Sequence, residues 1–157
     1  MTKFRKTFYP KLSLIAAICL TWTTLSFAQI LTPVHWSYAA KKTGPTSGVI
    51  FIKAIIDKGW HIYSVNQPDG GPIKTSFKFD PSTAYQAIGS VSEPKPEKSY
   101  SESFKINVLE FSKQVIFQQK IELKAKNANV KGKLSYMVCN DHKCLPPEDV
   151  EFSIPVK

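Results

Sequence analysis

The stretch INVLEFSKQVIFQQKIEL, residues 106–123, decides the fold class of this 157-residue chain. Apolar residues recur at about every second position in both of its halves, and a short polar turn at Ser112 to Gln114 separates them, which is typical of two β-strands. The same period of two recurs in GVIFIKAIID (48–57), IKTSFKFD (73–80) and VEFSIPV (150–156). Because no convincing 3.6-residue apolar stripe accompanies these segments, the sequence predicts an all-β fold.

The segments between the predicted strands are rich in residues that favour turns. They are NQPDGGP (66–72), FDPS (79–82) and SEPKPEKSYSES (92–103), whose prolines and glycines interrupt strand pairing. In the last strand Pro155 lies on the polar face, and it predicts an edge position because proline has no amide hydrogen to donate. Seven or more short strands at this spacing favour a β-sandwich.

The N-terminus has the three parts of an export signal. A basic region is followed by the apolar run LSLIAAICLTWTTL (12–25) and by the small residues SFA (26–28) at the expected cleavage position. The sequence therefore predicts a signal peptide over 1–28, a single mature domain over 29–157, and a periplasmic location. An uncleaved membrane anchor is an alternative, and a lipid anchor at Cys19 is disfavoured because Ile18 is large for the residue before such a cut.

The mature chain is only mildly basic. Removing Lys3, Arg5, Lys6 and Lys11 from the 21 basic residues leaves 17 against 12 acidic residues, a net charge of +5. The lysines are scattered, which favours a solvated surface over nucleic-acid binding. No other segment is apolar enough to span a bilayer, so we expect no stable membrane insertion after cleavage.

Two cysteines remain after signal cleavage, and both lie in SYMVCNDHKCLPPEDVEF (135–152). The alternation in LSYMV (134–138) predicts a strand, and NDHK (140–143) suits a four-residue hairpin loop, so Cys139 and Cys144 would flank that loop. Residues that face each other there come close enough for a disulfide. A disulfide closing about six residues constrains the unfolded chain by only about 2 kcal/mol, so it would be a weak staple.

The residues around the pair leave three interpretations open: a structural disulfide, a redox pair or a metal site. His142 and Lys143 would lower the pKa of a neighbouring thiol, whereas Asp141 would oppose them. Pro146 and Pro147 lack amide donors, which would leave this edge open to a partner. Soft metals such as Cu(I) or Zn(II) could take ligands from the same segment, namely Met137, Cys139, His142 and Cys144. Against a metal, no second histidine lies nearby.

Two further segments carry candidate site residues. In KGWHIYS (58–64), Trp60 and Ile62 would share one strand face and His61 and Tyr63 the other, where a polar tip can meet solvent or a site. A structural histidine is the alternative for His61. Phe104 lies either at the start of the next strand, facing the core, or in a functional loop.

Three stretches resemble the N-terminal periplasmic domain of DsbD-type protein-disulfide reductases. They are GWHIYS (59–64), NQPDGGPIKTSFKF (66–79) and YMVCNDHKCLPPEDVEFSIPV (136–156), and the similarity covers most of the mature chain. The resemblance implies an immunoglobulin-like β-sandwich with a reversible cysteine pair. In that family the pair accepts electrons delivered from the cytoplasm and passes them to oxidised periplasmic proteins.

The resemblance also implies roles for individual residues. Cys139 and Cys144 would be the redox pair, with Cys144 forming the mixed disulfide with partners. A cap loop would shield the pair, with Phe104 as the shield beside Glu102 and Ser103. The pair would be flanked by His61, Tyr63 and His142.

The chain departs from the family pattern in ways that bear on its partners. The four-residue spacer between the cysteines is one shorter than the family version, and a histidine stands at one expected tyrosine. We expect a separate electron donor, either a membrane-embedded or a thioredoxin-like reductase, and oxidised periplasmic thiol proteins as acceptors, with no cofactor. The alternatives are an exported interaction module with a structural disulfide and a Cu(I)-binding metallochaperone.

Overall fold

A computed structural model describes residues 31–157 of the chain, so the predicted signal peptide lies outside the described residues. Residues 32–157 form one compact unit. The strands of this unit are β1 Val34–Gly44, β2 Ser47–Ile56, β3 His61–Tyr63, β4 Ser76–Phe79, β5 Tyr85–Ser92, β6 Glu97–Ser101, β7 Ile106–Ser112, β8 Gln114–Leu123, β9 Ala128–Tyr136, β10 Val138–Cys139 and β11 Glu148–Val156. No helix in the described part of the chain is long and apolar enough to cross a membrane.

The strands form three antiparallel sheets. Sheet A has the order β1-β2-β8-β5, sheet B the order β10-β3-β7-β6, and sheet C the order β11-β9-β4. The fold is the all-β, immunoglobulin-like β-sandwich that the sequence predicts. Pro155 lies in β11, at an edge of sheet C, which confirms the edge position expected from its missing amide hydrogen.

The hydrophobic core joins the three sheets around Phe117 of β8. This side chain is fully buried, and its ring centroid lies 6.3 Å from that of Trp36, 5.0 Å from that of Phe77 and 6.0 Å from that of Phe111. These partners come from β1, β4 and β7, so one aromatic ring contacts strands of all three sheets. Burial alternates strictly along β8, although its sequence departs from alternation at the exposed Ile116 and the buried Gln119.

The turn predicted at Ser112 to Gln114 is present, but its two strands are not partners. β7 belongs to sheet B and β8 to sheet A, and Lys113 between them has a φ of 64°. This left-handed conformation is uncommon for a residue with a side chain. The carbonyl of Lys113 accepts a hydrogen bond from the amide of Ile56 at 2.8 Å, which connects the turn between β7 and β8 to β2.

Two predictions about strand boundaries are wrong. The segment 134–138 is not one strand, because the chain breaks at Met137: β9 pairs in sheet C and β10 pairs with β3 in sheet B. The segment 92–103 is not only a connection, because β6 lies within it and pairs with β7 along its whole length. The break at Met137 places Cys139 on sheet B, directly beside β3.

Gly132 of β9 lies between β4 and β11 in sheet C, at a position that has no space for a side chain. A Cβ atom at this position would overlap the carbonyl oxygen of Lys78 and lie 2.7 Å from the ring of Phe152. Both neighbours belong to the flanking strands β4 and β11. The absence of a side chain at residue 132 therefore allows the three strands to pack as they do.

Candidate functional site

Cys139 and Cys144 form a disulfide at the end of sheet B, with their Cα atoms 4.0 Å apart. The two residues face each other as an isolated antiparallel bridge. On either side of them, the amide of Leu145 donates to the carbonyl of Val138 and the amide of Asn140 donates to the carbonyl of Lys143, both at 2.9 Å. This is the pattern of a non-hydrogen-bonded pair, the position at which cross-strand side chains come closest.

The side chain of Asn140 stabilises the four-residue loop between the cysteines through hydrogen bonds to the loop backbone. Its Oδ1 accepts hydrogen bonds from the amides of His142 at 2.9 Å and Lys143 at 2.8 Å. Asparagine is favoured at such positions because its short side chain can satisfy backbone amides two or three residues ahead. The hairpin thus has four hydrogen bonds of its own that do not depend on the sulfur–sulfur bond.

The two cysteines differ sharply in exposure. Cys139 is 2% exposed and packs with Tyr63 and Val108, with Ile106 and Met137 beside them. Cys144 is exposed. Cys144 is therefore the residue of the pair that solvent reaches.

His61 and Tyr63 lie next to the disulfide, on the face of β3 opposite to Ile62. Cys139 pairs with His61 across β10 and β3, whereas Ile62 belongs to the main core. The rings of His61 and Tyr63 meet edge to face, with their centroids 5.7 Å apart. Burial, and to a lesser extent the negative charge of Glu110, raises the pKa of Tyr63 well above its usual value, so this tyrosine stays neutral.

Glu110 is a site residue that the sequence did not reveal. It pairs with Tyr63 across β3 and β7, and its Oε2 lies 3.6 Å from Nε2 of His61. Its Oε1 accepts a hydrogen bond from Oγ of Ser99 at 2.7 Å. The signal in the sequence is weak, since a glutamate within an alternating strand usually marks a solvated face.

A cavity of about 270 Å³ lies over this part of sheet B. Sheet B contributes His61, Tyr63, Glu110 and residues 99–101 of β6 to its lining, and the cysteine loop contributes Asn140 and Asp141. Glu102 and Ser103 of the turn after β6 complete the lining, so this turn and the cysteine loop border the same cavity.

The residues predicted for the cap occupy different places. Glu102 and Ser103 line the cavity, and Glu102 forms an exposed ion pair of 2.7 Å with Lys105. Phe104 lies in the same turn and is half-buried, but it does not line the cavity and is not part of either buried apolar cluster of the described chain. Tyr100 is the aromatic residue of this segment that lines the cavity, and it is 55% exposed.

The cysteine loop presents its remaining polar side chains outward. His142 is exposed and does not line the cavity. Nζ of Lys143 lies 6.0 Å from the ring centroid of Trp60. Within residues 31–157, no three histidine, cysteine, aspartate or glutamate side chains come together as a group that could hold a metal ion. Both cysteine sulfurs among the candidate soft ligands are joined in the disulfide.

Several solved structures share this fold at low sequence identity. The N-terminal domain of DsbD from Neisseria meningitidis in its reduced form is 23% identical, with a TM-score of 0.50 over 74% of this chain and 82% of that chain. A chain from the complex between the DsbD N-terminal and PilB N-terminal domains of the same organism is 18% identical, with a TM-score of 0.52 and coverages of 80% and 87%. The N-terminal periplasmic domain of ScsB from Proteus mirabilis is 16% identical, with a TM-score of 0.56. That match covers 81% of this chain and 49% of the other.

The sequence itself matches one protein family. The family described as "Thiol:disulfide interchange protein DsbD, N-terminal" matches residues 28–155, nearly the whole of the described domain. No curated protein sequence matches the chain. The family match and the hairpin disulfide agree with the resemblance seen in the sequence, and the chain belongs to the family of N-terminal domains of DsbD thiol:disulfide interchange proteins.

Proposed function

We propose that this chain is a periplasmic thiol–disulfide exchange domain that carries electrons in the Cys139–Cys144 pair. One observation carries the proposal: the disulfide joins an exposed cysteine to a buried one at the tip of a hairpin that has its own hydrogen bonds. An exchange protein needs one sulfur that a partner can attack and a fold that survives when the bond opens. Membership of the DsbD N-terminal family fits the same reaction.

The unequal exposure assigns different roles to the two cysteines. A donor thiolate attacks Sγ of Cys144, the Cys139–Cys144 bond breaks, and its electron pair goes to Sγ of Cys139. The donor and Cys144 are then joined by a mixed disulfide. A second thiolate of the donor attacks its own sulfur in that bond, which releases Cys144 reduced and the donor oxidised. The reverse sequence reduces an acceptor protein.

In this proposal residues 99–104 form a movable cover that closes over Cys144, which is exposed in the structure. Tyr100 supports it by lining the cavity beside the cysteine loop, together with Glu102 and Ser103. Phe104 belongs to the same turn, so a movement of the turn moves Phe104 as well. A docking protein can displace a cover of this kind. Small oxidants cannot displace it, and they therefore react slowly with the cysteine pair. His61 and Tyr63 flank the pair on the sheet, and His142 flanks it on the loop.

The partners in this proposal are proteins with reactive thiols. A separate membrane-embedded or thioredoxin-like reductase supplies electrons, and oxidised periplasmic thiol proteins receive them. The complex of a DsbD N-terminal domain with a PilB N-terminal domain supports a protein partner, and the periplasmic domain of ScsB supports the location. Residues 1–28 act as the signal peptide and residues 29–157 as the mature domain, in keeping with a family match that begins at residue 28.

Trapping a mixed disulfide tests the proposed exchange. The oxidised protein is mixed with a thioredoxin whose resolving cysteine has been replaced by serine, so that the donor cannot carry out the second exchange step and the mixed disulfide persists. We expect a covalent complex in which peptide mapping finds the thioredoxin on Cys144. Mapping to Cys139 would contradict the assigned roles, and failure to form any mixed disulfide would contradict exchange itself. A Cys139→Ala/Cys144→Ala variant is the control for non-covalent association.

A further inference from the structure

We infer that His61 exchanges a proton with Cys139 when the disulfide opens and closes, and that Glu110 is the positioning residue for the imidazole of His61. This inference rests on the thiol–disulfide exchange proposed above. It adds a proton-transfer step to that reaction and assigns the step to a histidine and a carboxylate of sheet B.

The environment of Cys139 creates the need for a proton. When Cys144 is attacked, Cys139 leaves as a thiolate, yet it is 2% exposed and packs against Tyr63, Val108 and Met137. A charged sulfur among apolar side chains has lost most of its hydration, which makes the thiolate costly. A cation or a proton donor on the same face of the sheet would offset that cost.

His61 is the residue placed to supply the proton. It is the cross-strand partner of Cys139, and side chains of paired residues lie on the same face with Cβ atoms about 4.5–5.5 Å apart. Its side chain is 20% exposed and lines the cavity, so the ring can recover a proton from solvent after giving one up. Histidine is the side chain whose charge ordinarily changes between about pH 5 and 8.

Glu110 lies beside the imidazole of His61, on β7, which pairs with the edge of β3 opposite to β10. Its Oε2 lies 3.6 Å from Nε2 of His61, and its other oxygen is fixed by the hydroxyl of Ser99 at 2.7 Å. The Glu110 side chain is 16% exposed, so its negative charge is only partly screened by water. A carboxylate in this position orients the imidazole ring.

Other groups around this face do not supply the same proton. They are Tyr63 of β3, Glu97 of β6, Glu102 and Lys105 of the following turn, and Asp141, His142 and Lys143 of the cysteine loop. Burial raises the pKa of Tyr63, so it stays neutral across the physiological range. Lys105 is paired with Glu102, and Nζ of Lys143 lies near Trp60, which packs against the main core. His142 is exposed in the loop, and so it serves as the comparison for His61.

The step balances as a proton transfer coupled to sulfur exchange. As the donor sulfur bonds to Cys144, the electron pair of the broken bond goes to Cys139. The proton of the His61 imidazolium then moves to the Cys139 thiolate, leaving a neutral imidazole and a thiol. In the oxidising direction the neutral imidazole takes the proton back, and the resulting Cys139 thiolate attacks the mixed disulfide at Cys144.

The test is the rate at which dithiothreitol reduces the disulfide of the purified protein between about pH 5.5 and 8, divided by the concentration of dithiothreitol thiolate. We expect this corrected rate constant to fall about tenfold as pH rises, which is below the usual range for general acid catalysis because a thiolate already leaves readily. In His61→Gln the rate constant should be low and independent of pH. In Glu110→Gln the fall should be smaller, because the imidazole has lost the carboxylate that positions it.

The matched control is His35→Gln. His35 lies on sheet A, away from the cysteines, and its exposed Nε2 is 3.4 Å from Oδ1 of Asp57, so its loss should leave the pH profile unchanged. A fall that persists in His61→Gln and disappears in His142→Gln would overturn the inference. If His61→Gln fails to fold, an unchanged profile in Glu110→Gln would overturn it instead. A wild-type disulfide that dithiothreitol cannot reduce would contradict the exchange function itself, whereas ready reduction with the same profile in every variant contradicts only the role of His61.

Discussion

Reducing the Cys139–Cys144 disulfide is expected to lower the free energy of unfolding by about 2 kcal/mol at most. The bond closes a loop of only six residues, counted from a sequence separation of 5. On the loop-closure model such a loop costs the unfolded chain about 7 cal/mol/K of entropy, or about 2 kcal/mol at 25 °C. A disulfide that joined distant strands would constrain the unfolded chain more.

The hydrogen bonds of the hairpin further limit the loss of stability on reduction. Two backbone hydrogen bonds flank the cysteines, and Asn140 accepts two more within the loop. Each contributes about 0.5–1.5 kcal/mol and remains available to the dithiol form. The reduced pair therefore stays at the same end of sheet B, ready to close again.

Urea denaturation of the oxidised and reduced protein measures this difference. With an m value of about 2 kcal/mol/M, a loss of 2 kcal/mol lowers the midpoint by about 1 M. A Cys139→Ala/Cys144→Ala variant is the control, because reductant should leave its midpoint unchanged. A reduced protein without a cooperative transition, or a midpoint lowered by more than about 2 M, would refute the reasoning and mark the disulfide as a structural staple.

Three further predictions concern the cover, sheet C and pH. Tyr100→Ala is expected to speed the oxidation of the reduced pair by hydrogen peroxide, and Phe104→Ala tests the neighbouring aromatic residue in the same assay; an unchanged rate in both would count against residues 99–104 as a cover. Gly132→Ala is expected to lower the free energy of unfolding by about 1–3 kcal/mol, because its methyl group has no space between β4 and β11; a neutral result in thermal denaturation would show that the strands separate easily. Hydrogen bonds from Lys133 and Ser135 hold the pKa of Asp149 below its usual value. The Asp149 carboxylate therefore stabilises the fold above the unfolded pKa of about 3.9. This stabilisation is lost as pH falls through the lower pKa of the folded state. Asp149→Asn should therefore reduce the loss of stability between about pH 4 and 2, and an identical acid limb would disprove the contribution.

The sequence predicted those parts of the fold that depend on local periodicity. The alternation in residues 114–123 and 150–156 identified β8 and β11, because each strand buries one face against the core and leaves the other in solvent. β7 was identified as well, although its buried residues Val108 and Phe111 lie on opposite faces and belong to different buried clusters. The break at Met137 and the strand β6 escaped detection, because both depend on pairing between distant segments. β6 has a weak burial pattern and lies at the edge of sheet B, so its sequence resembles that of a loop.

In the site, too, the sequence predicted what depends on local patterns and missed what depends on pairing between distant strands. The spacing of Cys139 and Cys144 predicted that the two could meet across a hairpin loop, and the alternation in KGWHIYS placed His61 and Tyr63 on one face. Glu110 was not found, because its contact with His61 depends on the register between β3 and β7. The position of Tyr100 at the cavity likewise follows from the pairing of β6, which no local pattern indicated.

The reduction potential of the Cys139–Cys144 pair tests the central claim most directly. The purified protein is equilibrated in graded thiol–disulfide buffers, and the free thiols are trapped and counted by mass. The account predicts a potential between about −270 and −120 mV, the span of known exchange proteins, with rapid equilibration. A potential below about −300 mV with slow reduction would contradict it and identify a structural disulfide.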